Sequence, residues 1–252
     1  MKKICVFNQK GGVGKTTTVV NLSSAIAKMG KKVLVIDIDP QANATSGFGI
    51  AQKDIKYSIY DLLTKNIDFK DSICKTELKN VDIIPSSKDL AAAEVEFATF
   101  DNRNTILKEK TSKLEGYDYV FIDCPPSLGL LSINALSFSN SIFIPIQCEY
   151  YALEGVSQLI NTLNIVKKSI NKNIYIEGVL ITMYDRRNNL SSDVTKEARK
   201  FFKNLVYKTV IPRNIRLAEA PSFGKNIMDY APKSQGAITY MLVAKEFLKR
   251  NS

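Results

Sequence analysis

Seven residues near the start of the chain, Lys10-Gly11-Gly12-Val13-Gly14-Lys15-Thr16, have the types and spacing to hold a phosphate. The glycines allow backbone N–H groups to turn into one concavity, which attracts anions. Lys15 has the reach to set its ammonium on β- and γ-phosphates, and the Thr16 hydroxyl stands where a Mg²⁺ ligand is needed. That chemistry requires a strand before the loop and a helix after it. Lys2–Asn8 is an apolar run short enough to be a buried strand. Thr17–Ala27 carries apolar positions at helical spacing, so a helix N-terminus adds its free N–H groups and the positive end of its dipole.

Carboxylates stand at the ends of two further apolar runs. Val33–Ile36 reads as a parallel strand covered on both faces. Asp37-Ile38-Asp39-Pro40-Gln41 follows it, at the edge where open α/β sheets bind ligands. Asp37 and Asp39 are thereby placed for Mg²⁺ and water. Tyr117–Asp123 is another apolar strand with a terminal carboxylate, and Asp123 would order Mg²⁺ through water or through the Thr16 hydroxyl.

Composition excludes much else. The 252 residues contain no histidine, which removes Ser-His-Asp chemistry, His-based zinc sites and imidazole acid–base catalysis. Cys5, Cys74, Cys124 and Cys148 form no CxxC pair and read as reduced core thiols. No run of about 18 apolar residues occurs, and Asn8-Gln9-Lys10 interrupts the first apolar stretch too early for a signal peptide. A cytoplasmic protein is expected. The net charge of +10 points to a polyanionic partner. Residues 183–252 hold 14 Lys+Arg and 6 Asp+Glu, a net of +8, so most of the excess lies in the last third.

Elsewhere the pattern predicts helices near Ser58–Thr64, Asp89–Phe97, Thr105–Leu114, Val156–Lys168 and Gln235–Lys249, and strands at Val81–Pro85, Ser141–Ile146 and Tyr175–Thr182. Arg186-Arg187 sit in a turn with Asn188-Asn189. Lys196, Arg199, Lys200 and Lys203 follow on a helical segment capped by Ser191 or Ser192. Val210-Ile211-Pro212-Arg213-Asn214 is expected to follow another strand.

The loop departs from the plain Walker A pattern: Gln9 stands where the first glycine belongs, and Lys10 heads the loop. In this it resembles the deviant Walker A motif of the family that contains the ParA/Soj partition ATPases, MinD and nitrogenase iron protein. Asp37-Ile-Asp39-Pro-Gln41, Asp123-Cys-Pro-Pro-Ser127, Gln147–Gly155, Pro212-Arg-Asn214 and Arg216–Lys225 resemble further ParA segments, in order along the whole chain. The resemblance implies a doubly wound α/β fold with a mostly parallel sheet flanked by helices, of the P-loop NTPase, deviant Walker A class. It implies one ParA-like domain spanning residues 1–252 without an N-terminal helix-turn-helix domain.

It also implies roles. ATP and Mg²⁺ would be the cofactors, with residues Lys10 to Thr17 on the phosphates and Pro212 and Asn214 on the adenine. Asp39 would activate or position the attacking water, with Asp37 supporting the switch, and Thr16, Asp39 and Asp123 would serve the metal. Lys10 would reach across a homodimer to the partner's nucleotide. Glu149 fits a dimer or nucleotide contact, or a solvated loop acid. Arg187 and Arg216, with Arg186 and Lys225, would bind double-stranded DNA without sequence preference. The implied activity is weak ATP hydrolysis stimulated by a ParB-type centromere-binding protein, in a nucleoid-associated enzyme without membrane contact. A MinD-like division-site ATPase on the membrane is the alternative. An iron–sulfur reductase built on Cys124 and Cys148, and a DNA-coating protein with a relic loop, are weaker ones.

Overall fold

The computed structural model describes residues 1–149 and 152–251, with side chains for all of these except 152–158. Seven strands form one sheet: β1 (Lys2–Val6), β2 (Val33–Asp37), β3 (Cys74–Lys75), β4 (Val81–Ile84), β5 (Tyr119–Asp123), β6 (Ser141–Gln147) and β7 (Tyr175–Thr182). Their spatial order is β3-β4-β2-β5-β1-β6-β7, parallel throughout except for the short edge strand β3. β2 and β5 are buried at every position, which is why they read as unbroken apolar runs. The doubly wound, mostly parallel fold expected from the sequence is the observed one.

The helices are α1 (Lys15–Lys28), α2 (Asn43–Gly47), α3 (Ile59–Thr64), α4 (Leu90–Phe97), α5 (Ile106–Lys110), α6 (Leu130–Phe138), α7 (Ala152–Ser169), α8 (Asn189–Phe202), α9 (Ile215–Glu219), α10 (Ile227–Tyr230) and α11 (Gln235–Arg250). They pack two separate cores. One face of the sheet is covered by α3 to α8 through residues such as Leu62, Phe97, Leu131 and Phe202. The other is covered by α1, α2 and α9 to α11 through Leu22, Ile26, Tyr240 and Phe247.

Four local expectations change. The helix expected over Thr105–Leu114 is confined to α5. α7 begins at Ala152 rather than Val156, within the stretch read as a loop; Tyr150 and Tyr151 of that stretch lie outside the described residues. α8 is capped by neither Ser191 nor Ser192: the Asn188 side chain accepts from Leu190 N–H, a turn earlier, so both serines fall inside the helix. Among the described residues no strand lies between α8 and Val210. Val206 makes only an isolated parallel bridge to Val179, and Pro212 one to Tyr184, where it has no N–H with which to extend a ladder.

Candidate nucleotide site

Three strand ends form one row. Val6 lies in register with Asp123, and Asp123 with Asp37, so the loop after β1 emerges beside both carboxylates. Gly12 and Gly14 take left-handed backbone at φ 73° and 89°, which a side chain would strain. Gly14 is also the N-cap of α1 and brings no side chain to its first turn, leaving those N–H groups for a ligand. The loop is tied down from β6 and β7. Asn8 Nδ2 donates to Pro145 O at 2.8 Å, Lys10 N to Asn8 Oδ1 at 3.0 Å, and Thr182 Oγ1 to Val13 O at 2.8 Å.

Lys15 is buried, and its ammonium donates to Lys10 O at 3.1 Å across the loop. Burial lowers its pKa, against the opposing pull of Asp123, Cys124 and Asp39. Lys10 pairs with Glu149 of the same chain, and the other Glu149 oxygen accepts from the Gln147 amide.

The carboxylates divide by environment. Both Asp123 oxygens are buried and make no hydrogen bond. Burial drives the Asp123 pKa well up, Asp37 and Asp39 add to this, and the neighbouring Thr16 hydroxyl and Lys15 ammonium oppose it. A buried carboxylate without partners beside a hydroxyl and a phosphate loop fits a divalent cation. Among the described residues no group of three acidic or sulfur side chains could cage a metal alone. That suits Mg²⁺, which keeps waters and shares its coordination with substrate phosphates.

Asp37, by contrast, is fully engaged. Its Oδ2 accepts from Thr45 N at 2.8 Å and Thr45 Oγ1 at 2.7 Å, and its Oδ1 from Asp39 N at 3.2 Å. Burial still lifts it to about 6. Thr45 Oγ1 accepts in turn from Ser86 N, and Ser86 Oγ donates to Asp39 O. Asp37 therefore anchors α2 and the Asp39 loop. Asp39 Oδ1 accepts from Gln41 N at 2.9 Å.

Beside Gly14 and Thr17 lies a pocket of about 290 Å³ walled by Thr182, Met183, Pro212, Asn214 and Tyr240. Asn214 lines this pocket, and its Oδ1 caps α9 by accepting from Arg216 N. The basic residues separate. Arg186 and Arg187 line a neighbouring cleft with Arg213, which the sequence reading passed over. Arg187 holds Asp185 through Nε and Nη2, and the exposed Arg216 on α9 holds Glu219. Lys225 stands apart, in a groove with Thr16, Thr17 and Asn43. Asn8, Thr45, Ser86 and Thr182 were also missed. Each is a small polar residue whose partner is set only by strand order.

The protein family described as an AAA domain matches residues 1–176. The sporulation initiation inhibitor protein Soj of Bacillus subtilis (strain 168) is 54% identical over 246 residues, 97% of each chain. The chain belongs to the ParA/Soj family. The chromosome partitioning protein ParA of Myxococcus xanthus (strain DK1622) is 46% identical over 250 residues, covering 99% of this chain and 88% of that one. Among solved structures, cobyrinic acid a,c-diamide synthase from Mycobacterium smegmatis with bound ATP analog and magnesium has a TM-score of 0.86 at 33% identity, covering 99% of this chain and 95% of that one. The ParA/Soj relationship agrees with a P-loop ending in Lys15-Thr16 and preceded by Lys10. No helix among the described residues is long and apolar enough to cross a membrane.

Proposed function

We propose that this chain is a partition ATPase that hydrolyses ATP slowly with Mg²⁺, dimerises on ATP, binds DNA without sequence preference as the dimer, and lets go on hydrolysis stimulated by a ParB-type partner. The observation that carries the reading is the orphaned Asp123 carboxylate set in one row with Asp37 and the phosphate loop. Lys15 and the loop N–H groups hold the phosphates, and Pro212 and Asn214 the purine. Thr16 and Asp123 hold the metal, which when bound neutralises phosphate charge. Asp39 positions the attacking water. Lys10 leaves Glu149 and serves the partner's nucleotide. The Arg186 and Arg187 cleft and Arg216 meet DNA phosphates, two copies per dimer, with Lys225 contributing from its separate groove.

Two alternatives lose ground on particular residues. A MinD-like membrane helix is not supplied by α11, whose Val243, Ala244 and Phe247 are buried in the core. A cluster bridging two subunits needs exposed thiols, yet Cys124 is fully buried with its sulfur 3.2 Å from that of Cys5, and Cys148 is buried as well.

Binding to a random-sequence duplex with ATP, with ADP and without nucleotide, at two salt concentrations, tests the reading. Binding that needs ATP and falls steeply with salt is the expected result. Equal binding in all three states would overturn it.

A further inference from the structure

The strip from Pro212 to Ile215 has a recess on each side. Pro212, Arg213 and Ile215 wall both the purine pocket and the cleft of about 680 Å³ that holds Arg186 and Arg187. The strip is rigidly placed. Tyr184 N donates to Ile211 O at 2.9 Å and Arg213 N to Tyr184 O at 3.0 Å, and the next residue, Asn214, caps α9. Arg213 is therefore fixed at its backbone and exposed at its side chain.

The guanidinium groups of the region differ in what they already hold. Arg187 grips Asp185 and Arg216 grips Glu219. Among the described residues neither Arg186 nor Arg213 has a side-chain hydrogen bond or an ion pair, and Asp185 is the one carboxylate lining a cleft that carries three arginines. Such half-solvated ion pairs are weak but must still be broken before the arginine meets another anion. Arg213 acts on Asp185 only through space, so its guanidinium has no hydrogen bond to give up before its planar fork meets the oxygens of a phosphate.

We propose that Arg213 is a DNA-contact residue that binds a backbone phosphate in this cleft together with Arg186. The strip it sits on makes the filled purine pocket and the DNA-facing cleft two sides of one wall. This inference rests on the DNA-binding reading above.

The test is the affinity of the ATP-bound dimer for a random-sequence duplex, over a series of salt concentrations and expressed per dimer measured in the same samples. Wild type, Arg213→Ala and Arg213→Lys are compared. Arg213→Ala should weaken binding about tenfold and lower the salt slope by about 1.8, at 0.9 per phosphate contact and two copies per dimer. Arg213→Lys keeps the charge and should keep the slope. Arg213→Ala with wild-type affinity and slope overturns the assignment, as does an Arg213→Lys that loses the slope equally. A wild type that ignores DNA with ATP, or sediments with anionic vesicles instead, removes the DNA-binding reading itself, and Arg213's role with it.

Discussion

At Asp123 a carboxylate is held in the interior with both oxygens unanswered, an arrangement that costs stability unless a cation joins it. Burial also raises its pKa, so the charge is resisted by the fold itself. Asp123→Asn removes the charge at nearly constant shape. It should melt at or above the wild-type temperature, rising by roughly 2–4 °C for each kcal/mol relieved. Its Mg²⁺-dependent ATP turnover should fall roughly 10- to 100-fold. A variant that both melts lower and hydrolyses normally would show that Asp123 is structural. Lys10 makes the complementary case. Its pair with Glu149 is partly exposed, at 36% and 46% of the two side chains, and so is easily broken. Glu149→Gln should lower the ATP concentration needed for half-maximal dimerisation by about two- to fivefold, for an exposed pair in the range of about 0.5–1 kcal/mol. Less dimer in sedimentation or crosslinking would mean instead that Glu149 contacts the partner subunit.

Among the elements, α2 has only five residues and no side-chain cap, far short of a helix that stands alone in water. It is held by Thr45, whose hydroxyl bridges Asp37 and Ser86 in a fully buried position. Thr45→Val keeps the shape and strips the bridge, leaving Ser86 N–H and one Asp37 lone pair unmet. The loss should be about 2 kcal/mol in denaturant unfolding. An unchanged midpoint would mean that water replaces the hydroxyl. This bridge was illegible in the sequence, because Thr45 and Ser86 are 41 residues apart and meet only where β2 and β4 end side by side. The strands themselves were legible: a strand buried on both faces has no polar alternation to confuse, and β2, β5 and β7 stand where their apolar runs do. Caps were less so. Four residues able to cap, Asn188, Asn189, Ser191 and Ser192, stand within a turn of the start of α8, and the choice of Asn188 depends on where the backbone leaves the turn, not on composition.

Over the molecule as a whole, charge is unevenly spread, and the fold gives the unevenness a direction. The phosphate loop, both strand-end carboxylates, the pocket beside Gly14 and the arginine cleft all gather at the C-terminal edge of the sheet. Lys31 and Lys32 are exposed at the opposite edge, just before β2. Replacing both with alanine should leave ATP-dependent DNA affinity within a factor of about two, since they lie beyond about one Debye length of the cleft. A large loss in anisotropy titrations would place DNA on the wrong edge for the proposed switch. The motifs and the charge excess of the last third were readable in the chain. That three arginines share one cleft while Lys225 falls in another groove was not.

The order of the strands also sets an order in time. β1, the first strand of the sheet in chain order, lies between β5 and β6, and the loop that follows it is fastened by Thr182 Oγ1 to Val13 O, 169 residues further on. Local contacts alone cannot shape that loop, and closing such distant pairings is slow. During synthesis the nucleotide motif emerges first and is organised late, once residue 182 has joined the sheet. A growing chain thus carries Lys10 to Thr16 without this fastening until β7 has been made. The fastening waits on Thr182, and the proposed purine contacts wait longer still, on Pro212 and Asn214.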